Sequence, residues 1–161
     1  MSKPLDVLLI TPPSRVQVYQ ELSRDFAAIE PPVWSGLIAT FLRQHSCSVA
    51  ILDAEAEGLN HQQTADRIAA IAPRLAVFVI YGQQPSASTQ CMPAGRKVCE
   101  ILTTLADIPT LVMGTHPSAL PKRTLLEEPY TYVCQGEGPA TILGLVIALR
   151  APQHSLREVP G

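Results

Sequence analysis

Charge is scarce in this sequence. Only 16% of its 161 residues are Asp, Glu, Lys or Arg, and the formal net charge is -2 at pH 7. A chain without a basic excess offers no electrostatic footprint for a phosphate backbone and no polybasic patch for an anionic bilayer, so neither nucleic acid nor membrane is expected as a partner. Long apolar runs are missing as well. Hydrophobic residues reach 47%, yet the longest stretches, such as Leu75 to Tyr81, are far too short to span a bilayer, and no signal-peptide pattern opens the chain. The expected location is cytoplasmic. Cys47, Cys91, Cys99 and Cys134 form no Cys-x-x-Cys pair and no Cys/His spacing suited to zinc. They read as reduced, packed thiols, and the sequence encodes no metal cluster of its own.

What is present is alternation. Asp6 to Pro13 holds four consecutive apolar residues between Pro4 and Thr11-Pro12-Pro13, the pattern of a parallel strand buried on both faces. Further strands are expected at Ser48 to Leu52, Arg74 to Tyr81, Thr110 to Met113 and Tyr130 to Cys134. Between them the spacing predicts helices over Val33 to Gln44, with Leu37, Phe41 and Leu42 facing the sheet and Gly36 allowing close approach, and over His61 to Ile71, burying Ile68 and Ile71. A third helix runs from Ser88 or Met92 to Leu105, a short one ends near Glu128, and a last covers Ala140 to Arg150. Thr11 to Pro32 reads as an irregular segment long enough to be a binding loop or lid. One domain fits this length. The repeat predicts a flavodoxin-like, Rossmann-like three-layer α/β/α sandwich whose five-stranded parallel sheet has the order 2-1-3-4-5. Ligands of such sheets bind beyond the carboxyl ends of the strands, where strand order reverses.

That rim excludes several ligand classes. Thr11-Pro12-Pro13 lacks the glycines and amide donors that a dinucleotide, P-loop or flavin phosphate loop needs. A signalling receiver would end its third strand on Asp and place Lys after the fifth; here those ends are Ile80-Tyr81-Gly82 and Cys134-Gln135. No Gly-x-Ser-x-Gly elbow is present, and His116 with Ser118 reads as a helix-start arrangement. The carboxylates of Asp53, Glu55 and Glu57 read as a solvated turn rather than a metal group. His61 reads as a surface residue. The amides and hydroxyls after the third strand could cap the next helix or hold a neutral polar ligand.

Five segments carry a family resemblance: Val7-Leu8-Leu9-Ile10-Thr11-Pro12-Pro13, Pro31-Pro32-Val33-Trp34-Ser35-Gly36-Leu37, Leu52-Asp53-Ala54-Glu55-Ala56-Glu57-Gly58-Leu59, Met113 to Pro121, and Tyr132-Val133-Cys134-Gln135-Gly136-Glu137-Gly138. In this order they resemble the N-terminal cobalamin-binding domain of cobalamin-dependent radical S-adenosylmethionine (SAM) enzymes. The resemblance implies a corrin ring over the strand ends and a nucleotide tail in the crevice below. It places Thr11, Pro12, Pro13 and the loop that follows them under or beside the corrin. Gly82, Gln83, Gln84 and Ser86 would line the tail, Gly114, Thr115 and His116 would let it pass close to backbone, and Gly136, Glu137 and Gly138 would close its far side.

Two departures shape the expectation further. The methionine-synthase type of domain carries Asp-x-His-x-x-Gly after its first strand, with the His below cobalt; no His stands in that loop here, so the resemblance implies base-off cobalamin with no histidine lower ligand. Thr115 also replaces the second glycine of a Gly-Gly pair. The Cys-x-x-x-Cys-x-x-Cys motif for a [4Fe-4S] cluster is absent, so SAM and the cluster are expected in a missing catalytic domain, in cis or in trans, with methyltransferase or cyclase chemistry. Residues 1–150 would be the cobalamin-binding domain, and 151–161 resemble the start of a connector to a radical SAM barrel. A stand-alone corrinoid carrier for methyl transfer, or a fold kept as an interaction module, are the alternatives.

Overall fold

The computed structural model describes residues 4–19, 29–81, 85–151 and 156–160. Its sheet has the order β2-β1-β3-β4-β5, all parallel. The strands are β1 (Val7–Thr11), β2 (Val49–Asp53), β3 (Leu75–Val79), β4 (Thr110–Met113) and β5 (Tyr132–Val133). This is the flavodoxin-like arrangement expected from the repeat.

The apolar runs fill both faces. Because successive side chains alternate, Val7, Leu9, Leu75, Val77, Leu111 and Met113 point to one side of the sheet. There they meet Ile38 and Leu42 of α2 (Val33–Gln44) and Ile142 and Leu145 of α7 (Pro139–Arg150). Leu8, Ile10, Ala76, Phe78 and Val112 point to the other side, against Ile68 of α3 (His61–Ile71) and Val98 and Leu102 of α4 (Pro85–Leu105). Each fully buried Leu or Phe contributes on the order of 2 kcal/mol, which is why β1 and β3 read as unbroken hydrophobic runs.

Where local chemistry is strong, boundaries follow it. α3 begins at a capping box: the Asn60 side chain accepts from the Gln63 amide and the Gln63 side chain accepts from the Asn60 amide, both at 2.9 Å. Asn60→Ala is expected to destabilise the fold by about 1 kcal/mol, read from denaturant midpoints at constant slope.

Elsewhere the structure departs from the expected pattern. α2 buries Ser35, Ile38, Ala39 and Leu42, while Leu37 is 59% exposed. The small Ser35 and Ala39 bring the helix backbone near the sheet; Leu42 is buried and Phe41 packs against the core as expected, so Leu37 alone of the three turns outward. Close approach does not arise at Gly36, where an added Cβ would meet nothing within 4 Å. Ile71 is 37% exposed, at the last turn of α3, which ends on Ala72 in a left-handed conformation. α4 starts at Pro85 and continues through Pro93. The expected short helix is two, α5 (Thr115–Ala119) and α6 (Pro121–Glu127). β5 shrinks to two residues because Thr110 and Thr131 exchange amide-to-hydroxyl bonds of 3.1 and 3.0 Å in place of ladder bonds. The segment after β1 is not wholly irregular: α1 (Arg15–Tyr19) lies within it, and residues 20–28 lie outside the described set.

Candidate functional site

The carboxyl ends of β1 and β3 are neighbours in the sheet although α2, β2 and α3 separate them in sequence, so the helices that follow the two strands diverge to opposite faces. A cavity of about 370 Å³ opens at this divergence. Thr11 forms its floor with Val79 and Tyr81, α1 contributes Ser14, Arg15 and Val18, and the first turn of α2 contributes Val33, Trp34 and Ser35. Trp34, the sole tryptophan, stacks on Tyr81 with ring centroids 5.0 Å apart and an interplanar angle of 23°. The Ser35 hydroxyl is buried at the cavity and has no hydrogen-bond partner among the described residues.

Burial disfavours the ionised forms of two groups that line the cavity, Cys91 and Tyr81. Burial raises the Cys91 thiol pKa above its ordinary value, only partly offset by a hydrogen bond from Ser14. Burial raises the Tyr81 phenol too, assisted by Cys134 and Glu137. Cys99, behind the sheet, is pushed up to about 11 by burial. The four cysteines are free, and Cys47, Cys99 and Cys134 are buried, as the sequence led one to expect of packed thiols.

Glu55 corrects the expectation of a uniformly solvated acidic turn. Its side chain is only 17% exposed; it accepts a hydrogen bond from the Arg15 amide and lies 3.7 Å from the Arg15 guanidinium, tying α1 to the turn after β2. Asp53 accepts from the Ala56 amide within that turn at 3.2 Å, and Glu57 pairs with Arg67 at the surface. His61 is likewise not a simple surface residue. It is half-buried, its Nε2 lacks a partner among the described residues, and burial, then Lys97, lowers its pKa against a smaller opposing pull from Glu55.

The other residues singled out from sequence fall along the same rim. Pro12 is buried and Pro13 half-buried in the short connection from β1 to α1. Gly82, Gln83 and Gln84 lie outside the described residues, and Ser86 stands in the first turn of α4 with its side chain undescribed. Gly114 closes β4 at φ +148°, and Thr115 and His116 open α5. The buried Ser88 hydroxyl joins β3 to this corner, donating to the Ile80 carbonyl at 2.6 Å and accepting from the His116 amide at 3.1 Å. The His116 ring meets Thr89 Oγ1 at 2.9 Å. Ser118 accepts from the Gly136 amide at 2.9 Å, so His116 and Ser118 are anchored to different partners. At Gly136 a Cβ would find open space; at Gly138, φ +91°, it would strike Met113; Glu137 between them is exposed.

Thr11 is thus the one sequence-selected residue that lines the cavity among those described. Ser14, Arg15 and Val18 line it from the loop expected beside the corrin, whereas Trp34, Ser35 and Tyr81 carry no expected contact, because the first turn of α2 reaches the rim only through the tertiary fold. Uniqueness of Trp34 beside Pro31-Pro32 was the available signal.

The rim and its topology have counterparts in known proteins. A family model described as "B12 binding domain" matches residues 22–146. The structure of the radical SAM methyltransferase TsrM from Kitasatospora setae, with tryptophan substrate and a SAM analogue bound, superposes with a TM-score of 0.75 at 18% identity, covering 96% of this chain and 27% of that one. The TsrM structure with cobalamin and a [4Fe-4S] cluster bound gives 0.73 at 16% identity, covering 98% and 26%. The cobalamin-dependent SAM radical enzyme OxsB, in its apo form, gives 0.66 at 17% identity, covering 99% and 20%. This chain therefore spans about a quarter of TsrM and a fifth of OxsB. No curated protein matches in sequence. Since the family match spans most of the chain and the structural matches share its fold throughout, the chain belongs to the B12-binding domain family, whose cofactor is cobalamin.

Proposed function

We propose that this chain holds cobalamin across the carboxyl rim of its sheet, base-off and without a histidine beneath cobalt, as the corrinoid-binding part of an enzyme whose SAM and [4Fe-4S] chemistry resides in another domain. The observation that carries the reading is the cavity at the ends of β1 and β3: it sits at the reversal of strand order, and hydroxyl, aromatic, aliphatic and charged groups line it without an imidazole. The residues present fit the cofactor. An unpartnered Ser35 hydroxyl waits at the wall, and Gly136 leaves space beside the far strand end. A volume of about 370 Å³ accepts part of so large a ligand and leaves the rest on the rim.

Bound cobalamin would supply a cobalt centre able to accept and release a methyl group. The chain's own contribution is to bind and orient. Trp34 and Tyr81 offer stacked aromatic surface, Thr11 and Ser14 offer hydroxyls, and the Glu55 contacts hold α1 against the turn after β2. Proton transfer is not assigned to any of them. TsrM is named a methyltransferase, which supports a methyl-transferring parent enzyme.

The test is electron paramagnetic resonance of cob(II)alamin mixed with the purified chain. No axial-nitrogen splitting of the cobalt lines is expected, and His61→Gln and His116→Gln should leave the spectrum unchanged. Splitting that disappears in either variant would contradict the reading by revealing a histidine ligand, and splitting retained in both would contradict the detached tail.

A further inference from the structure

We propose that the first turn of α2 and the Ser35 hydroxyl together form a subsite for a primary carboxamide on the corrin periphery, an assignment that rests on the cobalamin reading above. α2 is 12 residues long and follows Pro31-Pro32, and no side chain caps its N-terminus. The Val33 amide turns back to the Pro31 carbonyl at 2.8 Å, and the Gly36 amide bonds to the Pro32 carbonyl at 3.0 Å. The amides of Trp34 and Ser35 find no acceptor among the described residues. Such a helix end favours a hydrogen-bond acceptor.

Ser35 Oγ points to the same ligand independently. The residue is 1% exposed, its hydroxyl has no partner among the described residues, and it lines the cavity. A buried hydroxyl left unpaired is destabilising, so its place at the cavity wall points to a partner that enters the cavity.

The other lining groups select the chemistry of that partner. Glu30 and Glu55 face the same cavity, with Arg15 paired to Glu55 at 3.7 Å. Two carboxylates oppose a fully charged anion such as phosphate, although a helix N-terminus alone would welcome one. A primary carboxamide satisfies both features. Its carbonyl oxygen accepts from the α2 amides and Ser35, and its amino group donates to a carboxylate. The corrin ring carries acetamide and propionamide side chains of this kind around its edge.

Isothermal titration of wild type and Ser35→Ala with hydroxocobalamin and with aquocobinamide, which keeps the ring carboxamides but lacks the nucleotide tail, tests the assignment. Ser35→Ala is expected to weaken both corrinoids by about tenfold, the size of one good hydrogen bond. Its ligand-free melting temperature is expected to equal or exceed that of wild type, because the substitution removes an orphaned hydroxyl. Wild-type affinity in the variant would overturn the subsite while leaving the cobalamin reading intact. A loss for cobalamin alone would overturn it by placing the tail at Ser35, and a lower ligand-free melting temperature would overturn it by making Ser35 a packing residue. Binding of neither corrinoid by wild type would remove the cobalamin reading and the subsite together.

Discussion

Replacing Asp6 by asparagine is expected to destabilise the domain by about 3 kcal/mol at neutral pH, the lower end of the range for breaking a buried ion pair. Asp6 stands just before β1 and is 1% exposed. Arg150 at the end of α7 donates to both carboxylate oxygens, at 3.0 and 2.7 Å, while the Ser48 amide and hydroxyl donate at 2.8 and 2.7 Å. Arg74, at the start of β3, adds a guanidinium 3.6 Å away. One carboxylate thereby ties together α7, the approach to β2, and β3. Asparagine keeps the shape but presents an amino group to a guanidinium. The cost stays near the lower end because Arg74 and Arg150 are each about a third exposed and can recover some hydration. For a domain of this size the melting temperature should fall by roughly 10 °C.

The same residue gives the fold an acid limit. Burial pushes the Asp6 carboxyl pKa up, but the bonds from Arg150 and Ser48 outweigh it and hold the folded-state value well below the ordinary carboxylate range. The unfolded chain therefore takes up this proton first, near an ordinary Asp pKa of about 3.9. Its contribution is complete above that pH and is lost as pH falls from there towards the folded-state value. Wild type should lose stability more steeply than Asp6→Asn between about pH 5 and pH 2, as urea titrations across that window would show. Parallel pH profiles would contradict the role given to Asp6.

Gly114→Ala is expected to be at least as damaging, by about 3 kcal/mol or more. At φ +148° the backbone is one that side chains with a Cβ rarely adopt, and an added Cβ would lie 2.0 Å from the Ile80 carbonyl oxygen and 2.8 Å from its carbon. The obstacle is backbone of the central strand region, which cannot swing aside as a side-chain tip would. Moving it would also break the Ser88 link between Ile80 and His116. Gly136→Ala provides the control: φ is +110°, but the space is open, so only the backbone strain of about 1 to 2 kcal/mol remains. Equal losses in the two variants, measured by denaturant unfolding, would contradict the steric account.

Gly114 also illustrates how much of this molecule its sequence discloses. A glycine at a strand end reads as a close approach, but sequence cannot name the approaching group; here it is the Ile80 carbonyl. β1, β3 and β4 are legible because they are buried on both faces, leaving continuous apolar runs. β5 is legible in place but not in length, since its neighbour Thr131 spends its hydrogen bonds on the Thr110 side chain. On α2 the boundaries are legible and the face only in part: Leu42 and Phe41 pack against the core, but the small Ser35 and Ala39 occupy the close contact that hydrophobic size assigns to Leu37. The rim follows from the order of strands, so Thr11, Gly114 and Gly136 can be placed near it from spacing. Trp34, Ser35, Arg15 and Glu55 meet there only because separate elements converge, and no local pattern encodes that convergence.

The placement of Trp34 makes the central claim directly measurable. Trp34 is the sole tryptophan and lines the rim cavity. A titration of the chain with hydroxocobalamin, followed by absorbance-corrected tryptophan emission, should show saturable quenching as the corrin settles beside the indole. At about 100 times the dissociation constant the domain should also gain about 2.7 kcal/mol of stability. Emission that falls only in proportion to absorbance, with no rise in melting temperature at the highest cobalamin concentration, would contradict cobalamin binding at this rim.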